Sequence, residues 1–164
     1  MYNRILIPTD GSSGMSRVYE HARSVATEGT EIHVLYVVNT ASFANMPMET
    51  SWEGVAGMLH DEGEAALRTA EEELDGLRVE TAILEGQPNR EIVTYAAENG
   101  CDLILMGTNG RGGLNRLLLG SVAERVVRTS PVPVLTVRLN AAADAAASDP
   151  SSVSADTPNA EIVE

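Results

Sequence analysis

Short unbroken apolar runs alternate along this chain with longer stretches in which apolar residues recur every three or four positions. The runs fall at 4–8 (RILIP), 32–38 (IHVLYVV), 78–84 (RVETAIL), 102–106 (DLILM) and 132–137 (VPVLTV). Each has strand length; the first reads as a buried strand, and the second is rich in β-branched residues. Between the first two, Met15, Val18, Tyr19, Ala22, Val25 and Ala26 keep helical spacing up to a stop at Gly29. A longer helix is expected from about 52 to 74 with Gly76 as its stop. Pro88 suits a helix's first turn, and Ile92, Val93, Ala96 and Ala97 carry that helix to Gly100. A last helix starts at Ser121 on Val122, Val126 and Val127. Strands and helices thus alternate strictly. That order predicts an α/β domain, an open five-stranded parallel sheet with helices on both faces and right-handed crossovers. Pro131 and Pro133 cannot donate to a central ladder, which puts the last strand at a sheet edge.

The pattern ends near residue 139. Residues 139–164 hold five acids, no base, two prolines and few large apolar side chains. They cannot offset their ordering entropy by burial and are expected to form a disordered tail. Residues 1–138 then form one domain, with 19 acids against 11 arginines.

Charge narrows the function. The whole chain carries −13, which repels phosphate backbones and argues against DNA or RNA as a partner. All eleven basic residues are arginine. Without lysine there is no Gly-Lys-Ser/Thr phosphate loop, no Schiff base and no receiver-type phosphorylation site. High acidity without lysine suggests a salt-rich cytoplasm, where salt screens carboxylate repulsion. No apolar run approaches the ~20 residues of a membrane helix. The start, MYNRILIPTD, lacks a secretory pattern, so a cytoplasmic location is expected. Cys101 is the sole cysteine and has no disulfide partner within the chain.

In an open parallel sheet, ligands bind at the carboxyl ends of strands where the winding reverses. Two such ends stand out: Pro8-Thr9-Asp10-Gly11-Ser12, and the loop MGTNGRGGLNRLLLGS after the fourth strand. That loop holds Gly107, Gly110, Gly112 and Gly113, and Gly120 precedes Ser121 at a helix start. Glycines let main-chain amides approach an anion, and a helix start adds free amides. Arg111 and Arg116 can supply counter-charge. The plainer readings are that the glycines shape a long loop and that Ser121 caps its helix, with Glu124 in capping-box position. Asp-Gly-Ser is likewise an ordinary turn as well as a candidate site.

The spacing Gly107-x2-Gly110-x9-Gly120-Ser121, with the ILIPTDGS opening, the HVLYVV strand and the SPVPVLTVR ending, resembles the ATP-binding universal stress protein family over about residues 2–138. The resemblance implies strand order 3-2-1-4-5 and a nucleotide between the first and fourth strands. Carried over by position, adenine and ribose contacts fall on Pro8, Thr9, Asp10 and Val37, with Asp10 meeting ribose hydroxyls or a water on Mg²⁺. Phosphate contacts fall on Met106, Gly107, Gly110, Arg111, Gly112, Gly120, Ser121 and Val122. Ala123 departs from the Ser or Thr often found there in the family, which removes one hydrogen bond.

By this resemblance the chain is expected to be an ATP-dependent regulatory protein in the stress response. It would form a homodimer through the last strand (132–138), act on an unnamed protein partner and hydrolyse little ATP. The rivals are a slow ATPase or nucleotide-dependent transferase with Asp10 holding Mg²⁺, and a nucleotide-free dimeric interaction module. His21, His33 and His60 show no metal-ligand spacing, and structural roles are expected for them and for Cys101. Met46, Met48, Trp52 and Met58 are read as packing residues.

Overall fold

The computed structural model describes residues 1–43, 52–108 and 119–139. The strands are β1 (Arg4–Thr9), β2 (Glu31–Asn39), β3 (Arg78–Gly86), β4 (Leu103–Gly107) and β5 (Val134–Val137). The helices are α1 (Ser16–Val25), α2 (Trp52–Glu73), α3 (Pro88–Glu98) and α4 (Ser121–Thr129), with short 3-10 turns at Ser13–Met15 and Thr40–Phe43. All strand pairs are parallel, in the order β3-β2-β1-β4-β5. Pro131 and Pro133 precede β5, which begins two residues later than expected, and the strand does lie at the edge.

Each central strand feeds two cores, which is why it reads as a continuous apolar run. Ile5 and Ile7 of β1 pack with α1 and α2, against Val18, Tyr19, Ala22, Leu67, Ala70 and Leu74. Leu6, between them, faces the other way onto Ile92 and Ala96 of α3 and Ala123 and Val126 of α4. Leu6 is fully buried, so truncation to alanine would cost roughly 2–5 kcal/mol.

Local chemistry ends the helices. Pro88 occupies the first turn of α3 after an extended Gln87. Gly76, at φ +85°, takes the left-handed turn after α2. Arg23 of α1 adds a cap there, with Nε donating to the Glu73 carbonyl (2.9 Å) and Nη2 to the Asp75 carbonyl (2.7 Å). Met58 of α2 is 73% exposed and so is not a packing residue; Met46 and Met48 lie outside the described residues.

The ladders are unequal. β1 pairs with β2 from Arg4↔Glu31 to Thr9↔Tyr36, but with β4 only at Ile5↔Leu103 and Leu6↔Ile104. Proline explains the early end. The Asn3 carbonyl accepts from Glu31 of β2, and the Arg4 carbonyl accepts from Asp102 on the β4 side. By strand alternation Pro8 also addresses β4, where it has no N–H to give. The two innermost strands therefore stop pairing just below their carboxyl ends.

Candidate functional site

The chain leaves β1 through a tight polar turn. Gly11 sits at φ +73°, and Asp10 Oδ1 accepts the Ser12 N–H at 2.9 Å. Asp10 thus makes the expected Asx turn, which holds its carboxylate at the strand end. Thr9 is buried; its Oγ1 accepts from the Tyr19 hydroxyl (3.0 Å) and from the Gly11 N–H (3.2 Å). Burial pushes the Tyr19 phenol up to about 12, so it remains a neutral donor. Ser12 Oγ is buried and has no hydrogen-bond partner among the described residues.

Beyond β4 the chain enters the glycine-rich loop and returns to its own starting point. The Thr108 N–H donates to the Val137 carbonyl (2.9 Å), and the Thr108 carbonyl accepts the Gly120 N–H (2.6 Å). The two ends of the signature, Gly107-Thr108 and Gly120-Ser121, are thereby brought together. Gly120 is the N-cap of α4 and makes no side-chain cap bond. Ser121 is therefore the first helical residue, and the capping-box reading does not hold. It is exposed, and the amides of Ser121, Val122 and Ala123 begin the helix without intrahelical partners. Ala123 buries its methyl in the core beneath α4. Thr108 Oγ1, like Ser12 Oγ, is buried and has no partner among the described residues.

Pro8, Thr9, Asp10, Met106, Gly107, Gly120, Ser121 and Val122 thus all lie at the carboxyl ends of β1 and β4 or at the α4 start that is tied to them. The Met106 side chain is buried in the core, which leaves only its main chain for a ligand. Val37 is on β2, half-buried against the α3 and α4 core. Gly110, Arg111 and Gly112, with Gly113 and Arg116, lie outside the described residues.

Three contributors were not singled out from the sequence. Ser12 and Thr108 look like ordinary loop residues until the burial of their hydroxyls is seen. Leu139 is the first residue of the expected tail, yet its side chain packs on the core beside Gly14 and Gly107. A Cβ on Gly107 would stand 2.8 Å from either Leu139 methyl, and one on Gly14 would stand 2.7 Å from Leu139 Cβ. Gly107 therefore needs its missing side chain first for packing. A separate surface groove of about 260 Å³ runs between α1 and β5, lined by Arg17, Glu20, His21 and residues 136–138. It is not the space between β1 and β4.

The universal stress protein family model matches residues 1–138. The chain belongs to the universal stress protein family. Universal stress protein MJ0531 of Methanocaldococcus jannaschii is 43% identical over 141 residues, covering 84% of this chain and 83% of that protein. MJ0577 of the same organism is 32% identical over 155 residues, and its solved structure superposes with a TM-score of 0.75, covering 84% of this chain and 96% of that one. A universal stress protein solved in complex with cAMP shares the fold at a TM-score of 0.65 and 23% identity, covering 85% and 99% of the two chains. As in these relatives, the sheet order of this universal stress protein is 3-2-1-4-5. Among the described residues no helix is long and apolar enough to cross a membrane.

Proposed function

We propose that this universal stress protein binds an adenine nucleotide, ATP, between the carboxyl ends of β1 and β4, and that occupancy regulates its contact with another protein. One observation carries the reading. The hydroxyls of Ser12 and Thr108 are buried without partners among the described residues, one behind each of the two strands that stop pairing early. A buried unpaired hydroxyl costs about 1–3 kcal/mol, and a ligand oxygen at this end relieves that cost. The residues fit a nucleotide without lysine: the amides of Ser121 and Val122 and the Ser121 hydroxyl would face phosphate oxygens. The main chains of Met106, Gly107, Gly110 and Gly112 and the Arg111 guanidinium would complete the cradle. Asp10 would meet ribose hydroxyls or a water on Mg²⁺, and Val37 the adenine edge. The cAMP-bound relative has the same fold, which supports an adenine ligand at this topology.

In this reading the protein is a cytoplasmic switch with little intrinsic hydrolysis. The edge position of β5 in the sheet supports a homodimer through the last strand region (132–138), since a second copy can extend the sheet there. The lysine-free acidic surface supports a salt-rich setting, and stability should rise with salt in a melting series.

The deciding experiment denatures protein purified without added nucleotide, identifies what is released by chromatography, and titrates the emptied protein with ATP and cAMP in high salt. Released adenine nucleotide, or saturable ATP binding at one site per chain, is the expected result. No release together with no heat from either ligand overturns the reading in favour of a nucleotide-free module. Multiple-turnover phosphate release that disappears in Asp10→Ala would instead assign an ATPase.

A further inference from the structure

At the opposite, amino-terminal end of the sheet, three side chains converge that the sequence keeps apart. Glu31 and His33 are two residues apart on β2 and so project from one face. Glu80 of β3 is the register partner of His33 and joins them on that face. A ligand atom from each lies within 4.8 Å of the others. His33 is 3% exposed, and its Nε2 has no hydrogen-bond partner among the described residues. That nitrogen stands 3.9 Å from Glu31 Oε1 and 4.0 Å from Glu80 Oε2. Both distances are too long for hydrogen bonds.

We infer that Glu31, His33 and Glu80 form a binding site for a divalent transition-metal cation of the zinc type. Ligands at ~2.0–2.2 Å around a tetrahedral ion stand about 3.3–3.5 Å apart, so His33 Nε2 and each carboxylate need to close by roughly half an ångström, and the two carboxylates, within 4.8 Å of each other, by at most roughly 1.5 Å. The arrangement permits it. Glu80 is on the edge strand with its side chain 63% exposed, free to swing in and open to an ion arriving from water. Glu31 is held still, because Arg4 Nε (3.0 Å) and Nη2 (2.8 Å) both donate to its Oε2, which leaves Oε1 turned toward His33.

The second nitrogen of His33 is also fixed. Nδ1 lies 2.9 Å from the Tyr95 hydroxyl of α3. With Nδ1–H donating to that oxygen, Nε2 carries the lone pair, which is the outer-shell arrangement of metal-bound histidines. Burial holds the imidazole below its usual range and so keeps it neutral and able to ligate. Two carboxylates against one arginine leave a net negative site, and one solvent-facing position remains for water. This is a two-acid, one-histidine set, which suits Zn²⁺ or Co²⁺ better than Mg²⁺, whose ligands are oxygen.

The test uses tag-free full-length protein, stripped with chelator and titrated with Zn²⁺ by calorimetry and with Co²⁺ by visible absorption. One site per chain is expected, with low-symmetry Co²⁺ bands. Glu80→Gln, an exposed change, should weaken binding at least tenfold while the melting temperature in chelator stays unchanged. His33→Asn should abolish binding. His60→Ala is the control, because His60 also meets a carboxylate, Glu85, at 2.8 Å; binding should survive that change. Binding that is equally tight in Glu80→Gln, that vanishes in His60→Ala, or that is absent from the unaltered protein overturns the assignment. Nucleotide binding at the far end should be unaffected by any of the three changes.

Discussion

The two ends of this one sheet solve different problems with the same five strands. At the carboxyl end the chain offers main-chain amides, glycines and small hydroxyls, and the inner ladder is cut short by Pro8. At the amino end the side chains themselves are charged and mutually engaged. Asp102 takes the N–H groups of Asn3 and Arg4 at 2.8 and 3.0 Å, and Arg4 grips Glu31. At one end buried hydroxyls lack partners among the described residues; the other end is tied because carboxylates and arginine find them. A site made of backbone is specified by where side chains are missing. A site made of side chains is specified by which strands become neighbours.

The largest effect that would break this contrast concerns the missing side chains. Gly14→Ala would drive a methyl into Leu139 Cβ, an atom close to the backbone that cannot swing away. Overpacking of this kind costs about 1–3 kcal/mol. Gly107→Ala meets only the far end of Leu139, which can rotate, so its cost should be smaller. Leu139→Ala should then rescue Gly107→Ala well and Gly14→Ala poorly, because the offending Cβ remains. Thermal melts of the two double-mutant cycles read this directly. Equal rescue would mean that Leu139 does not lie as described against the two glycines.

A smaller effect sharpens the contrast by giving opposite signs. Ser12→Ala and Thr108→Val each remove a buried hydroxyl with no partner among the described residues. Stability of the nucleotide-free protein should stay level or rise, since no hydrogen bond is lost. Nucleotide affinity should fall by about tenfold for each, the equivalent of one hydrogen bond near 1.4 kcal/mol. Calorimetry beside thermal melts separates the two. A loss of stability with unchanged affinity would show that these hydroxyls serve the fold and not a ligand.

The same contrast explains what could be read in advance. The fold was legible because buried parallel strands announce themselves as runs such as IHVLYVV, and helix ends as Pro88 and Gly76. The spacing of Gly107, Gly110 and Gly120 was legible because the proposed backbone site would leave its mark as glycine at fixed intervals. Side-chain partnerships were not. Whether the Ser12 hydroxyl is buried depends on what packs over the turn, and no local pattern states it. Leu139 looks like the start of a polar segment because its partners, Gly14 and Gly107, are far away in sequence and carry no side chain to hint at contact. Glu31-Ile32-His33 did contain a signal, since alternate strand positions share a face, but Glu80 joins only through the β2–β3 register.

The smallest expected effect tests the tied end through pH. Burial alone would raise the Asp102 carboxyl, but the backbone donors Asn3 and Arg4 outweigh it, and the group sits below its ordinary value. An unfolded aspartate titrates near ~3.9. A folded value below that means the unfolded chain takes up the proton first as pH falls. The stabilisation is therefore present above ~3.9 and is lost as pH drops through the folded value. Asp102→Asn should lower the melting temperature by a few degrees at neutral pH, and the gap from the unaltered protein should close in acid. Ser12→Ala, at the untied end, should show no such convergence. A gap for Asp102→Asn that stays constant from neutral pH into acid would mean that the carboxylate's charge contributes nothing to joining β1 and β4, and that its geometry alone does the work.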